Sequence, residues 1–370
     1  MSYKADGIKV IDADGHVLDT SPQIPWEQYL PEPFKQLGPK HLPFEVGGVP
    51  IWLDGQVFAR TFPKGKNVIK GQTTTAMHRS RPGMWDSKAR MPDMDAAGID
   101  TAVLFGGTIC INSCSIHDPE FRAAMCHAYN AWLGDYCKPY GSRLKGVASV
   151  PLHDVERAVT ELHHVVKDLG FVAVTAPSNH NGKTLFDPSL DPVYAACERL
   201  GVPMCCHLAA MPGRVQVASD RFNDMLGFNL ALHPIEQMIV FAEAILYGTL
   251  DRHPKLKLGF MEGWCGWVPF WLDRMQDYYE KLGEVVDAKA KPRDYWASGQ
   301  LYIGAEGDET TLPTTISLIG DTQLLYASDY WHFDAGYFDT VKEIWERPDL
   351  SETSKRRLLH DNAARLYNLL

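Results

Sequence analysis

The sequence lacks the features that define several large classes of protein. No apolar run approaches the roughly 20 residues that a membrane-spanning helix needs. The formal charge of −10 and the lack of any Lys/Arg-rich run argue against non-specific nucleic-acid binding. No glycine-rich phosphate loop is present, because Gly106-Gly107 is too short for a dinucleotide-binding motif. No strand-like run ends at a Ser or Cys in a nucleophile-elbow context. These absences argue against a membrane-spanning protein, a nucleic-acid-binding protein, a dinucleotide-binding fold and a serine or cysteine nucleophile.

Cysteine is also too scarce to form a disulfide framework, with eight in 370 residues. Cys110 and Cys114 have no second pair with which to complete a zinc-binding set, and Cys205-Cys206 lies in an apolar run. The first residues, Met1 to Asp6, are polar and do not resemble a signal peptide. We therefore expect a cytoplasmic protein.

What the sequence does contain is a regular alternation of strand-like and helical segments. Strand-like runs alternating with helices predict a parallel sheet, and eight such units predict a (β/α)8 barrel, here a single domain over residues 1–370. A doubly wound open sheet is the alternative. The eight runs are Val10-Ile11, Thr101–Phe105, Gly146–Val150, Phe171–Thr175, Val202–Cys206, Leu256–Phe260, Gln300–Ile303 and Leu324–Ala327. The helices between them are expected near 87–97, 119–137, 154–168, 191–200, 234–248, 267–283 and 311–319.

Residues 21–80 interrupt this alternation with a segment rich in proline, glycine and aromatic residues. Within it, Ile51–Phe58 resembles a hairpin that turns at Asp54-Gly55. A long non-helical insertion in a barrel is usually functional, so we expect a lid or subdomain. Arg60, Arg79 and Arg81 are candidate clamps for a substrate carboxylate, with a plain surface position as the alternative for each.

Two carboxylates and an imidazole follow the first strand, in Asp12-Ala13-Asp14-Gly15-His16. Residues two apart in a strand point to the same side, which places Asp12, Asp14 and His16 together. Three ionisable groups at the end of an apolar strand are costly unless a bound cation compensates for them.

Further metal-ligating side chains follow the later strands. In a barrel the carboxyl ends of the strands hold the active site, and here they carry His207, Glu262 and Asp329, with His332 three residues further on. Each has a structural alternative: a core histidine for His207, a helix cap for Asp329, an ion pair with Arg274 for Glu262. Their joint placement favours metal ligands. The predicted ligand set is Asp14, His16, His207, Glu262, Asp329 and His332, while Glu306 and Asp308 could be loop acids.

Six segments carry a resemblance to a known family. The chain resembles the amidohydrolase superfamily, in the branch related to aminocarboxymuconate-semialdehyde decarboxylase, over nearly its whole length. The resemblance implies a distorted (β/α)8 barrel with metal bound by the strand-one pair, the strand-five histidine and the strand-eight aspartate. The segments are Val10–His16, Arg90–Asp100, Gly201–His207, His253–Leu258, Ala327–Tyr330 and Asn362–Tyr367.

Two departures from that family set the expected chemistry. Zinc decarboxylases of the branch usually carry His or Glu where Asp14 stands, and a catalytic His where this chain has Glu262. With His332 added, the pattern is similar to the branch's non-haem dinuclear monooxygenases. We therefore expect two iron or manganese ions, O2-dependent hydroxylation of a small carboxylic acid, and a reductase or ferredoxin partner. Glu262, Asp329 and His332 would be catalytic.

Two other functions remain open from the sequence. One is a mononuclear zinc or manganese enzyme, a hydrolase or a non-oxidative decarboxylase, with Asp329 or Glu262 as general base. The other is a non-catalytic subunit whose metal is structural. The family also leads us to expect a homo- or hetero-oligomer, with the aromatic segment 264–279 packed between the barrel and a neighbour.

Overall fold

Eight parallel strands form the centre of the molecule. The computed structural model describes residues 5, 7–41, 51–58, 81–180, 183–207, 217, 221–222, 224–330, 332 and 336–370. The strands are hydrogen-bonded in the order in which they follow along the chain. They are β1 (Ile11–Val17), β2 (Thr101–Gly106), β3 (Leu144–Ala148), β4 (Ala173–Ala176), β5 (Met204–Cys206), β6 (Leu258–Phe260), β7 (Leu301–Ala305) and β8 (Leu324–Tyr326).

The first and last strands meet just beyond their carboxyl ends. The Asp329 N–H donates to the carbonyl of Asp14 at 3.0 Å, and the His16 N–H donates to the carbonyl of Tyr330 at 2.9 Å. These bonds join the segment after β8 to β1 and leave a nearly closed barrel. The predicted (β/α)8 fold is confirmed, and the open-sheet alternative is wrong.

One helix follows each strand on the outside of the barrel. These are α1 (Ser87–Ala97), α2 (Pro119–Cys137), α3 (Val155–Lys167), α4 (Asp191–Leu200), α5 (Met225–Leu246), α6 (Val268–Leu282), α7 (Leu312–Ile319) and α8 (Thr340–Trp345). Shorter α-helices are Trp26–Tyr29, Thr108–Asn112, Thr249–Arg252, Pro292–Ala297, Glu352–Arg356 and Asn362–Leu366. Asp118 shows how the sequence starts a helix, since its side chain accepts from Glu120 N and Phe121 N. No helix among the described residues is long and apolar enough to cross a membrane.

Helix α5 departs most from the sequence-based expectation. It was expected to begin near residue 234, with Pro234 in its first turn, but it begins at Met225. Asp224 caps it by accepting from Gly227 N at 2.8 Å, and Pro234 lies inside the helix. A single proline removes one helical hydrogen bond, and here the surrounding helix continues through it. His233 therefore lies in the helix rather than at its start.

Two buried clusters form the core. One lies between strands and helices, and the other fills the barrel interior with side chains such as Phe105, Cys205 and Leu325. The C-terminal segment adds Leu366 and Tyr367 to the interior, where the Tyr367 hydroxyl donates to the Ala13 carbonyl at 2.7 Å. All eight cysteines are buried and free, which agrees with the expected lack of a disulfide framework and with the place of Cys205 and Cys206 in an apolar run.

The described part of the insertion packs against the β2–α2 side of the barrel. Ile51–Leu53 and Gln56–Phe58 are antiparallel around Asp54-Gly55, whose φ angles are 50° and 76°, so the expected hairpin is confirmed. The Gln56 side chain donates to the Ser115 carbonyl. Residues 42–50 and 59–80, with Arg60 and Arg79, lie outside the described residues, and the lid stays a prediction.

The aromatic segment 264–279 has two faces. Trp271 donates from Nε1 to the Met238 carbonyl at 2.7 Å and joins α6 to α5. Phe270 and Tyr278 are more than half exposed. The expected packing of this segment against the rest of the barrel is confirmed, and its contact with a neighbouring subunit stays a prediction.

Candidate metal centre

A bulge in β1 brings the first two candidate ligands into position. Asp12 pairs with Ala102, whereas Gly15 pairs with Leu104, so β1 carries one residue more than β2 over this stretch. Bulges of this kind re-aim side chains and are common beside active sites. Asp14 and His16 follow the irregularity, and both are buried.

Asp12 does not join these ligands, contrary to the expectation from strand periodicity. Its carboxylate accepts from Ser328 N at 2.9 Å and from Ser328 Oγ at 2.6 Å. The bulge shifts the alternation of side chains, which periodicity alone does not reveal. Burial raises the pKa of Asp12 to about 6, although the Ser328 hydrogen bonds and the guanidinium of Arg90 favour its charged form. Arg90 is itself fully buried and donates to the His16 carbonyl at 2.7 Å.

Four predicted ligands from three strands converge at the carboxyl end of the barrel. His207 Nε2 lies 3.4 Å from Asp14 Oδ2, and His16 Nε2 lies 3.6 Å from Asp14 Oδ1. His16 Nε2 is also 2.9 Å from Asp329 Oδ1. The rings of His16 and His207 meet edge to face, with centroids 4.9 Å apart.

The donor atoms of this group fit a divalent cation. Those of Asp14, His16 and His207 lie within 4.8 Å of one another, as do those of His16, Asp329 and His332. Among the described residues, Asp14 Oδ1, Asp329 Oδ1 and both ring nitrogens of His16 are buried and make no hydrogen bond of good geometry, although Asp329 Oδ1 has imidazole nitrogens within 3 Å. Buried polar atoms are nearly always satisfied, so several unsatisfied donors turned toward one another indicate a cation site.

Glu262 lies beside this group, on the far side of His207. Its Oε2 is 3.6 Å from His207 Nδ1, whereas Asp14 faces Nε2 of the same ring. Its Oε1 is 3.5 Å from His233 Nδ1 and 3.4 Å from His332 Nδ1. A carboxylate on the second nitrogen of a ligating histidine fixes the tautomer that leaves the first nitrogen free for metal. Whether Glu262 is itself a ligand stays a prediction.

His332 is the most accessible member of the cluster. Its side chain is 32% exposed, against 1–2% for His16, His207 and Asp14. Its Nδ1 lies 2.8 Å from Asp329 Oδ1, and its ring stacks on that of His16 with centroids 4.3 Å apart. His332 is therefore the member of the cluster with the most solvent contact among those described.

The buried carboxylates of the cluster favour positive charge on the groups beside them. Burial alone would lower the pKa of His207, but the carboxylate of Asp14 leads the effects that raise it to about 9. Burial also opposes protonation of His332, yet Asp329 raises its pKa well above the usual range. Burial would raise the pKa of Glu262, but neighbouring imidazoles lower it to about 2. These shifts share one cause, since the carboxylates and imidazoles of the cluster each favour the charged form of the other.

Two site carboxylates have strained backbones. Glu262 has φ 54° and Asp329 has φ 50°, in the left-handed region that non-glycine residues seldom occupy. Such conformations persist only where surrounding contacts impose them, and they concentrate at functional sites. The strain turns both side chains from the ends of β6 and β8 toward the cluster.

Other sequence candidates lie outside the cluster. Arg81 makes a two-point ion pair with Asp93 at 2.7 and 2.9 Å. The Arg274 guanidinium lies over the Tyr278 ring, 4.8 Å from its centre. At the end of β7 the buried acid is Glu309, which accepts from Cys265 N and Gly266 N and so supports the loop after Glu262. Sequence reasoning missed Glu309, and no motif marks it.

Comparison with known proteins assigns the family. Residues 11–369, nearly the whole chain, match the model of the amidohydrolase family. The chain belongs to this family. The amidohydrolase is 26% identical to 2-amino-3-carboxymuconate-6-semialdehyde decarboxylase of Dictyostelium discoideum, covering 77% of each chain. It is also 26% identical to gamma-resorcylate decarboxylase of Rhizobium sp. (strain MTP-10005), covering 76% of this chain and 86% of the relative.

A solved structure with the same fold is 5-carboxyvanillate decarboxylase of Novosphingobium aromaticivorans, complexed with manganese and 4-hydroxy-3-methoxy-5-nitrobenzoic acid. The two chains superpose with a TM-score of 0.71 at 19% identity, covering 99% of this chain and 98% of that one. At this identity the likeness supports the barrel fold.

The comparisons correct the sequence-based function. Both sequence relatives named above are decarboxylases. The expected monooxygenase is therefore wrong, and the reductase or ferredoxin partner expected with it loses its basis. The monooxygenase expectation depended on Glu262, which replaces a histidine and was interpreted as a ligand to a second ion. In the structure Glu262 contacts three imidazoles and lies across His207 from Asp14.

Proposed function

We propose that this enzyme is a metal-dependent, non-oxidative decarboxylase of a small aromatic carboxylic acid. The observation that carries the proposal is the position of His332 and Glu262. These two ionisable groups touch each other beside the cation site, on its accessible side. Decarboxylation needs a proton donor next to the group that holds the carboxylate. The decarboxylase relatives support the same choice among the functions left open by the sequence.

One divalent cation per chain, held by Asp14, His16, His207 and Asp329, is the proposed metal content. Two carboxylates with two imidazoles form a mixed oxygen and nitrogen set that suits manganese, with zinc as the alternative. The manganese in 5-carboxyvanillate decarboxylase supports this choice. Two iron or manganese ions, the finer expectation from the sequence, would need Glu262 and His332 as further ligands, and metal analysis separates the two cases.

Proton transfer falls to His332 in this proposal. When bound, the cation supplies a Lewis-acid centre for oxygen atoms of the substrate. The carbon–carboxylate bond of the substrate breaks, CO2 leaves, and the ring carbon takes up one proton. Because His332 Nδ1 faces Asp329 and Glu262, Nε2 is the nitrogen left to deliver that proton. Glu262 holds His332 and His207 in orientation.

The test is turnover by manganese-loaded protein under argon in deuterium oxide. Gamma-resorcylate and 5-carboxyvanillate are the first substrates, since relatives of this fold act on them. We expect CO2 release without oxygen, and a product with one solvent deuterium at the carbon that carried the carboxylate. A strict requirement for O2, or release of CO2 from none of a panel of hydroxybenzoic acids by fully loaded protein, would overturn the proposal.

A further inference from the structure

Helix α5 carries a buried side chain, Gln237, that contacts the backbone beside two site residues. Gln237 has no exposed surface. It lies four residues after His233, so both project from the same face of the helix. His233 approaches Glu262 from that face. The face therefore points toward the carboxyl ends of β5 and β6.

The Gln237 amide connects the last residue of β5 with the residue that follows β6. Its Nε2 donates to the Cys206 carbonyl at 3.0 Å and to the Met261 carbonyl at 2.5 Å. An amide NH2 has two protons, one for each acceptor. Cys206 immediately precedes His207, and Met261 immediately precedes Glu262. One side chain thus connects the two peptide units from which these site residues extend.

Gly263 provides the space for this bridge. A Cβ at position 263 would lie 2.8 Å from Cγ and 3.2 Å from Cβ of Gln237, closer than a side chain tolerates. The lack of a side chain at Gly263 therefore leaves the room that the Gln237 side chain occupies. Among the described residues Gln237 Oε1 has no hydrogen-bond partner, so the donor end of the amide makes the contacts that matter.

We propose that Gln237 is a positioning residue, whose bridge between the Cys206 and Met261 carbonyls sets the geometry of His207 and Glu262. The bridge acts where the regular strand pairing ends and the chain turns into the left-handed conformation of Glu262. A strained residue keeps its conformation only if its neighbours impose it. A backbone bond from Met261 N to the Cys206 carbonyl at 3.0 Å also joins the two segments. Without the two bonds from Gln237, the Met261 carbonyl loses its side-chain donor, and the orientation of Glu262 relative to His207 Nδ1 is held less firmly.

The chain offers a matched control for the test. Gln323 makes the same kind of bridge elsewhere, from Nε2 to the carbonyls of Trp296 and Leu301 at 2.7 and 2.8 Å, and it is also buried. Leu301 begins β7, so this bridge lies at the opposite end of the barrel from the site. Gln237→Met and Gln323→Met remove the same donors at similar volume. A purely structural role predicts the same consequences for both.

The first readout is the visible spectrum and affinity of bound Co2+, measured without substrate. We expect Gln237→Met to change the spectrum and to weaken Co2+ binding by about 10- to 100-fold. Gln323→Met should lower the melting temperature only. An unchanged spectrum and affinity in Gln237→Met, with a melting temperature like that of Gln323→Met, would overturn the inference.

A kinetic arm rests on the proposed function: kcat for decarboxylation should fall in Gln237→Met more than KM changes. If no variant and no wild-type protein decarboxylates any acid, the proposed function fails and the Co2+ spectra still decide the role of Gln237. Gly263→Ala, which displaces the amide without removing it, should reproduce the spectral change.

Discussion

The two ends of the barrel solve the problem of buried polar groups in opposite ways. At the amino ends of the strands, buried amides complete the hydrogen bonding of the backbone. Gln300 donates to the carbonyls of His253 and Leu256, and Asn362 donates to those of Asp321 and Leu324. At the carboxyl ends, Asp14 Oδ1, Asp329 Oδ1 and the ring nitrogens of His16 are buried without such partners.

The buried amides at the amino ends of the strands thus serve stability, whereas the buried acids and imidazoles at the carboxyl ends are the candidates for function. Unsatisfied buried groups cost free energy, so a protein retains them where a ligand completes them. At the amino end the donor groups of the buried amides are paired within the protein, and Asn362 Oδ1 is a neutral atom left without a partner among the described residues. Each of the following substitutions tests whether an acid or imidazole acts on a ligand at the carboxyl end of the barrel or only makes hydrogen bonds within the protein.

The largest effect is expected from Asp14→Asn. Removing one charge and one anionic donor should leave the purified protein with almost no manganese and no measurable decarboxylation, because the remaining ligands are too few. Asp12→Asn is the matched control, two residues away and equally buried. It should keep its metal, since Asp12 bonds to Ser328. Metal loss in Asp12→Asn by mass spectrometry would break the distinction between the two acids.

His332→Gln should lower kcat by about 10² to 10⁴, the usual contribution of a general acid. Metal content by plasma emission should stay at that of the wild type, because Asp14, His16, His207 and Asp329 remain. If the metal is lost together with activity, His332 is a ligand, and the proton must come from another group.

Glu262→Gln should have a smaller effect, about 10- to 100-fold in kcat, because a neutral amide still orients His207 and His332 but no longer supports their charge. Metal stoichiometry should not change. A fall in stoichiometry would instead support Glu262 as a ligand, the role that the sequence suggested.

The smallest effect concerns Asp19, a fully buried acid near the same end that accepts from Cys110 N at 2.8 Å. Burial raises its pKa to about 7. Since the unfolded value is about 4, the folded state binds more protons between these values, and the contribution of Asp19 to stability falls as pH rises from about 4 to 7.

Asp19→Asn should therefore be more stable than the wild type at pH 8, by about 1–2 kcal/mol, with the advantage fading toward pH 4. Urea unfolding at matched metal saturation measures the difference. A constant difference between pH 5 and pH 8 would show that Asp19 does not titrate in this range.

Sequence periodicity predicted the barrel well, because the pattern of residues within each strand and helix indicates that element. Ser87–Ala97 and Asp191–Leu200 have the bounds that capping and glycine signals indicated. Placement at strand ends also identified six residues that the structure brings together. Position relative to the end of a strand is a property that sequence carries directly.

The features that sequence missed depend on relations across the fold. The bulge in β1 sends Asp12 to Ser328, and nothing in a strand pattern marks one extra residue. The contacts of Gln237 depend on the packing of α5 against the ends of two strands, which no pattern in the helix sequence indicates. The side of His207 on which Glu262 lies is likewise set by the packing of the fold and is not carried by a sequence pattern.

Because the barrel closes through its last strand, the site can form only after that strand has been synthesised. The contact between Asp12 and Ser328 spans 316 residues. At usual rates of protein synthesis, on the order of tens of seconds pass between the appearance of the two segments. During that interval Asp14 and His16 are present without Asp329. The convergence of these three side chains is therefore possible only after the last strand docks beside the first.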